Sequence, residues 1–433
     1  GTITVSTSGN SSDAYGVDAY ADGDGNVTVT NSGTITVTTG GDYSEAYGVY
    51  AYADGDGNVT VTNSGTITVS TSGNGSQAYG VYAYTNGDGD ALLTNTAAGT
   101  ITVTTSGDYG DATAASVQAD SNAFGDATLI NAGSMTATTT GDYSEAYGVY
   151  IESDGYGTIT LTNSGSITAT TSGNLSDAYG VYAQHEDYGD VVITNTATGS
   201  ITATASGDNS NAYGIFTYTY YGDELNGNIT ISNSGDVTAS ASGSYGDAFG
   251  VYVDANSTAA SNISVTNTAT GTIDASSGYG SATGIGIYAD MSGNLNDGGS
   301  ISITNAGDIL VQGYGSAYGI AVSVDEGAIS NYYYTIFGEG GMPVTVNNSG
   351  LIDVASDYSN AEGITVNMGN GSYGELASIT NSGTINVLTE DGFVAWGIHV
   401  DNQYGDISVS NTASGTIDVA NESASFYYAE GGY

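Results

Sequence analysis

The sequence contains no lysine, no arginine and no cysteine, and a single proline in 433 residues. Without basic side chains it cannot neutralise a phosphate backbone, which excludes nucleic acid as a partner, and an anionic membrane surface repels it. Nor can it clamp a phosphate or carboxylate substrate with a guanidinium or ammonium group. Without cysteine there are no disulfides, thiolate metal sites or thiol nucleophiles. No apolar run approaches the roughly 20 residues that span a bilayer, so direct membrane insertion is not expected. The two histidines, His185 and His399, lie in different repeats with no second histidine nearby, and both read as surface residues. No organic cofactor is expected.

What is present points to ordered β material. Glycine accounts for 67 residues and tyrosine for 36, and 39% of the chain is hydrophobic, a composition foreign to linkers and disordered tails. Asp and Glu total 46, for a formal charge of −46. No carboxylate has a basic side chain to pair with, so water, salt or bound metal must relieve the repulsion, and stability should depend on cations.

The phrase Asn-Ser/Thr-(Ala-x)-Gly-x-Ile recurs along the whole chain. Its asparagines are Asn31, Asn63, Asn95, Asn131, Asn163, Asn195, Asn233, Asn267, Asn305, Asn348, Asn381 and Asn411, spaced 30 to 43 residues apart. Each period holds three alternating runs, such as Val27–Thr30, Thr34–Val37 and Ala46–Tyr52, separated by glycine-rich turns. Three strands per period without a helical crossover predict an all-β, parallel β-solenoid of about thirteen coils, expected to be right-handed, with like residues stacked about 4.8 Å apart. Residues 1–433 form one continuous solenoid, with an irregular insertion at 326–343 and an irregular tail at 421–433. Stacked asparagines predict a buried amide ladder at one turn. A glycine before each buried Val/Ile, such as Gly48, is expected to point outward and to mark a bend or a close approach.

Three surface features bear on function. Asp22, Asp24 and Asn26, then Asp54, Asp56 and Asn58, then Asp88 and Asp90 repeat one coil apart in Gly-rich turns. Alternate oxygen ligands suit Ca²⁺, although no bidentate Glu follows at the twelfth position, and a solvated acidic turn is the other reading. Tyr50, Tyr82, Tyr150, Tyr182 and Tyr252 share one outward column, and Tyr20, Tyr52, Tyr84, Tyr218 and Tyr288 the next. Two adjacent aromatic stripes suggest self-association of rods, with carbohydrate stacking or an intramolecular tyrosine ladder as alternatives. A second acidic column, Asp13, Glu45, Asp111, Glu145, Asp177 and Asp247, is spread too evenly to mark a catalytic carboxylate pair, so no enzyme activity is expected.

The phrases Asn-Ser-Gly-Thr-Ile-Thr and Ala-Tyr-Gly-Val-Tyr-Ala, clearest at 31–52, 63–84 and 163–183, resemble the β-helical passenger regions of bacterial autotransporters and filamentous-haemagglutinin-like adhesins. The resemblance implies a bacterial cell-surface or extracellular location. The total lack of Lys and Arg and the tyrosine richness depart from that family. Neither end carries a recognisable cap, so head-to-tail polymerisation, with lateral bundling, is expected. The leading reading is a structural subunit of a cation-stabilised extracellular filament or matrix. An adhesin binding polysaccharide or a host surface is the alternative. An ice-binding array of Thr-x-Thr pairs and a polysaccharide-cleaving enzyme rank lower.

Overall fold

β-Branched residues alternating with small polar ones make each repeat a coil of three strands, represented by Val27–Asn31, Thr34–Thr39 and Ala46–Asp54. The structure, a computed structural model, describes residues 1–422 except 121–123, 187, 222–226, 258–261, 291–298, 326–328, 332–333, 337–341, 370–374, 392–393 and 404. Strands pair in parallel with their counterparts one coil on, forming three sheets. The first sheet has thirteen strands, from Thr2–Thr7 to Thr416–Asn421. The second has twelve, from Ala14–Asp22 to Ala395–Asn402, and the third twelve, from Val27–Asn31 to Asp406–Asn411. No helix occurs among the described residues. Registry is like over like: Ile35 pairs with Ile67, Val49 with Val81 and Asn31 with Asn63. The expected insertion contains a short antiparallel pair, Ile329–Asn331 with Tyr334–Ile336. Much of the rest of it, and the tail from 423, lies outside the described residues.

The interior is one unbroken hydrophobic column running through all coils. Each fully buried Val or Ile contributes about 1.5–3 kcal/mol. Three sheets close tightly around it, which explains why small residues such as Ala46, Ala51 and Ala53 line the second sheet.

The glycine column faces the opposite way from the sequence expectation. Gly48 is buried, and a Cβ there would lie 2.4 Å from Ile67 Cγ2 and 2.4 Å from the Gly80 carbonyl oxygen. Gly48 and Val49 are therefore successive inward residues, a bend that strict alternation does not anticipate. One coil departs from the rule and compensates. Ala114 replaces the glycine, and in the facing column Met135, which has no Cγ2 branch, replaces the usual Ile. Gly180→Ala should thus cost about 1–3 kcal/mol by overpacking against Ile201 Cγ2. Ile201→Met should recover part of that loss, read as a non-additive double-mutant cycle in denaturant. Simple additivity would show that the two columns are not in steric contact.

Two buried polar ladders lock the corners. Eleven Nδ2–H···Oδ1 bonds of 2.8–2.9 Å connect all twelve asparagines from Asn31 to Asn411. A serine ladder, missed in the sequence, runs along the corner between the first and second sheets. Ser44, Ser144 and Ser176 donate backbone N–H to the next coil's Ser76, Ser176 and Ser210 hydroxyls at 2.9–3.0 Å.

Candidate functional site: the outer face of the second sheet

The bend at Gly48–Val49 shifts the alternation of the second sheet by one residue, so Tyr47 before it and Tyr50 and Tyr52 after it all stand outward while Ala46, Ala51 and Ala53 stand inward. Axial registry then places ring over ring. Tyr50 and Tyr82 stack at 5.4 Å, and Tyr150 and Tyr182 at 5.3 Å. Tyr20, Tyr52 and Tyr84 stack at 5.1 and 5.0 Å. Tyr252 ends its column, stacked on Phe216 at 5.7 Å. Tyr218 and Tyr288 occupy the same column as Tyr52, but their register neighbours on either side are not tyrosine. A third column, Tyr15, Tyr47 and Tyr79, then Tyr147, Tyr179, Tyr213 and Phe249, is the one that sequence reasoning missed. It meets the Tyr50 column edge to face, as at Tyr47–Tyr50, 5.2 Å and 78°. All three columns are interrupted together at the coil where Thr113, Ser116 and Gln118 stand.

The second acidic column is the polar partner of this aromatic array. Tyr47 donates its phenol to Glu45 at 2.7 Å, Tyr79 to Gln77 at 2.7 Å, and Tyr147 to Glu145. Burial pushes the carboxyls of Asp111, Glu145 and Asp177 above the ordinary carboxylate range. Burial likewise pushes the Tyr182 phenol up to about 12, and raises Tyr79, Tyr147, Tyr150, Tyr179 and Tyr213.

Carboxylates without basic side chains also find backbone partners. Asp13 accepts the N–H of Glu45 at 2.9 Å, and Asp177 that of Asn211 at 2.6 Å. The Asp-Gly turns behave alike: Asn26 caps the N–H of Asn58, and Asn58 that of Asp90, each at 2.8 Å. Asp56 accepts from the Asp88 N–H at 3.4 Å, and Asp88 from Phe124 at 3.3 Å. Asp54 accepts from Tyr20 at 3.4 Å and from Asn86 at 3.0 Å. Asp22 ends a strand in register with Asp54, and Asp24 follows in the turn. No three acidic or histidine side chains are grouped to hold a metal ion among the described residues.

Of the two histidines, His185 departs from its surface reading, while His399 stands in the outward Tyr50 column as expected. His185 is fully buried because its strand position points inward, with Nε2 2.8 Å from the Gly157 carbonyl oxygen. His399 is part-exposed and engaged, with Nδ1 3.7 Å from Glu362 Oε2 and its ring 3.8 Å from that of Trp396.

These last residues belong to a groove of about 410 Å³. It exists because the Tyr50 column continues as Gly286, Ala321 and Thr365, whose small side chains leave three successive coils unfilled. Phe249 and Tyr252 close one end and Trp396 and His399 the other, while Tyr318, Glu362, Tyr288 and Asp401 line the sides. Glu362 is only 5% exposed, accepts a hydrogen bond from Thr365, and has its carboxyl raised by burial.

A third aromatic feature follows the corner between the first and second sheets. Tyr43, Tyr109, Tyr143 and Tyr245 are 72, 62, 49 and 78% exposed, and all have positive φ, between 54° and 60°. Tyr109 stacks on Tyr143 at 4.9 Å, and Tyr314 stands 5.7 Å from Tyr279 and 4.7 Å from Tyr358. The chain matches no family model, no curated protein and no solved structure.

Proposed function

We propose that the chain is a structural rod of an extracellular bacterial filament or matrix, which associates side by side with copies of itself through its exposed tyrosine corner. The observation that carries this reading is the strained backbone beneath those rings. Gly75 and Asn209, residues that accept the left-handed region readily, stand at the same corner position in other coils. Tyrosine there costs about 1–2 kcal/mol per residue, spent on holding a large apolar ring in water. Within the single chain these rings gain little beyond the Tyr109–Tyr143 stack, whereas a ring that keeps its hydroxyl wet suits an interface. With a net charge of −46, two rods repel unless cations screen or bridge them, so association should require divalent salt. Sedimentation of the wild-type chain with and without millimolar Ca²⁺ should show cation-dependent, concentration-dependent assembly. The triple variant Tyr43→Ser, Tyr109→Ser, Tyr245→Ser should stay monomeric and melt no lower than wild type. A chain that remains monomeric with Ca²⁺, or a triple variant that assembles normally, would remove the basis for this reading.

A further inference from the structure

The groove over Gly286, Ala321 and Thr365 is a local exception in an otherwise periodic face. In most other coils of that face tyrosines and phenylalanines stack on one another in the middle column, which lacks a ring only singly, at Asp18 and Ser116. Here three coils lack the middle ring, which opens a trough on the order of 14 Å long at the axial spacing of a parallel sheet. Its volume of about 410 Å³ falls within the span of small-ligand sites, roughly 300–1,000 Å³.

We propose that this groove binds a saccharide bearing free amino groups, with pyranose rings lying along the Tyr288, Tyr318 and Trp396 side chains and an ammonium group directed at Glu362 and Asp401. The aromatic lining supplies apolar surface for the C–H faces of a sugar and attracts a cation over a ring. The charge complement is one-sided. Two carboxylates line the groove and the whole chain lacks Lys and Arg, so a uronic acid, sulfated or phosphorylated glycan would be repelled. Glu362 suits the role because it is held in place: it sits in register between Tyr318 and Trp396, with Thr365 and His399 fixing its orientation. A buried carboxylate so oriented gives an ammonium group a charge-assisted partner that water cannot easily replace.

Trp396 is the only tryptophan in the chain and forms one end of the groove, so its fluorescence reports occupancy directly. The full chain, at physiological salt, is titrated with an oligomer of β-1,4-linked glucosamine, with its fully N-acetylated counterpart, and with spermine. The free-amine oligomer should give a saturable change, with the acetylated oligomer and spermine each at least tenfold weaker. Glu362→Gln should weaken binding of the free-amine oligomer at least tenfold. Ala321→Tyr restores the ring found at that column position in other coils; it should abolish the response while leaving the melting temperature unchanged or higher, which keeps the test decisive if Glu362→Gln is poorly folded. Equal affinity for the acetylated oligomer would mean that no ammonium is recognised. Equal affinity for spermine would mean that only charge is. Either result, an absent response, or unchanged binding in Ala321→Tyr overturns the proposal.

Discussion

Near neutral pH, Asn163→Asp is expected to melt well below the wild-type chain, and acidification should recover much of the deficit. Asn163 is fully buried and sits mid-ladder. Its Oδ1 accepts from Asn131 at 2.8 Å and from the Gly165 N–H at 3.3 Å. Its amide donates to Asn195 Oδ1 at 2.8 Å and to the Ser200 carbonyl at 3.3 Å. An aspartate keeps the accepting half but replaces the donor with a second oxygen, which then faces two oxygens with no proton between them. Burying that charge while stranding its neighbours costs about 3–5 kcal/mol. Its carboxyl is therefore raised in the native state. The native variant then holds a proton that the unfolded chain releases, so stability is fully present below the ordinary aspartate range of about 3.9 and is lost as pH rises through the native value. Once protonated, the acid regains an O–H donor for Asn195. Asn163→Ala removes both halves of the ladder and should show a deficit that does not depend on pH. Melting both variants and the wild type at about pH 4 and about pH 8 separates the two mechanisms; parallel deficits for Asp and Ala would argue against a donor-and-acceptor ladder.

The Asn ladder was legible because a repeat of almost constant spacing puts one residue type at one corner, and a buried polar column has few ways to satisfy itself. The strands were legible for a similar reason: alternation such as Val59, Val61 and Asn63 in, Thr60 and Thr62 half-out, leaves no ambiguity of face. The glycine column was misread because Gly48 and Val49 both point inward, and a bend is invisible to a rule of strict alternation. That error also hid the column containing Tyr47, on the far side of the bend. At the left-handed corner Ser11, Tyr43, Gly75, Leu175 and Asn209 share a conformation but no chemistry, so no residue pattern announces it. The groove had a signal, the loss of tyrosine at 286, 321 and 365. Only the coordinates show that no neighbour fills the space, and that Glu362, His399 and Trp396 converge beside it.

The second large effect concerns the whole chain: its melting temperature should be higher at about pH 5 than at about pH 8, by on the order of 10 °C, and should fall steeply above about pH 10. Acid usually unfolds proteins by protonating carboxylates that pair with Lys or Arg. Here neither residue exists, and His399, 3.7 Å from Glu362, is the one basic side chain found beside a carboxylate among the described residues. Burial raises Asp111, Glu145, Asp177 and Glu362, so for these groups the native state holds protons that the unfolded chain has given up. Their contribution is complete below the unfolded carboxylate range, about 3.9–4.3, and is lost as pH rises through the raised native values. Repulsion within a charge of −46 has the same sign, since it grows as carboxyls ionise, and added salt should raise the melting temperature at about pH 8 far more than at about pH 5. In alkali the tyrosine face takes over. Unfolded phenols ionise near pH 10, whereas burial holds Tyr79, Tyr147, Tyr150, Tyr179 and Tyr213 protonated well beyond that. These groups together remove several kcal/mol per pH unit, after allowance for the solvent their edges still meet. Following tyrosinate absorbance and β-sheet circular dichroism together should therefore reveal two classes of phenol. The buried class, Tyr79, Tyr147, Tyr150, Tyr179 and Tyr213, ionises only in step with loss of the sheets. A single smooth phenol titration that leaves the β signal intact would mean that the stacked rings are open to hydroxide, and that the second sheet's outer face does not stabilise the rod.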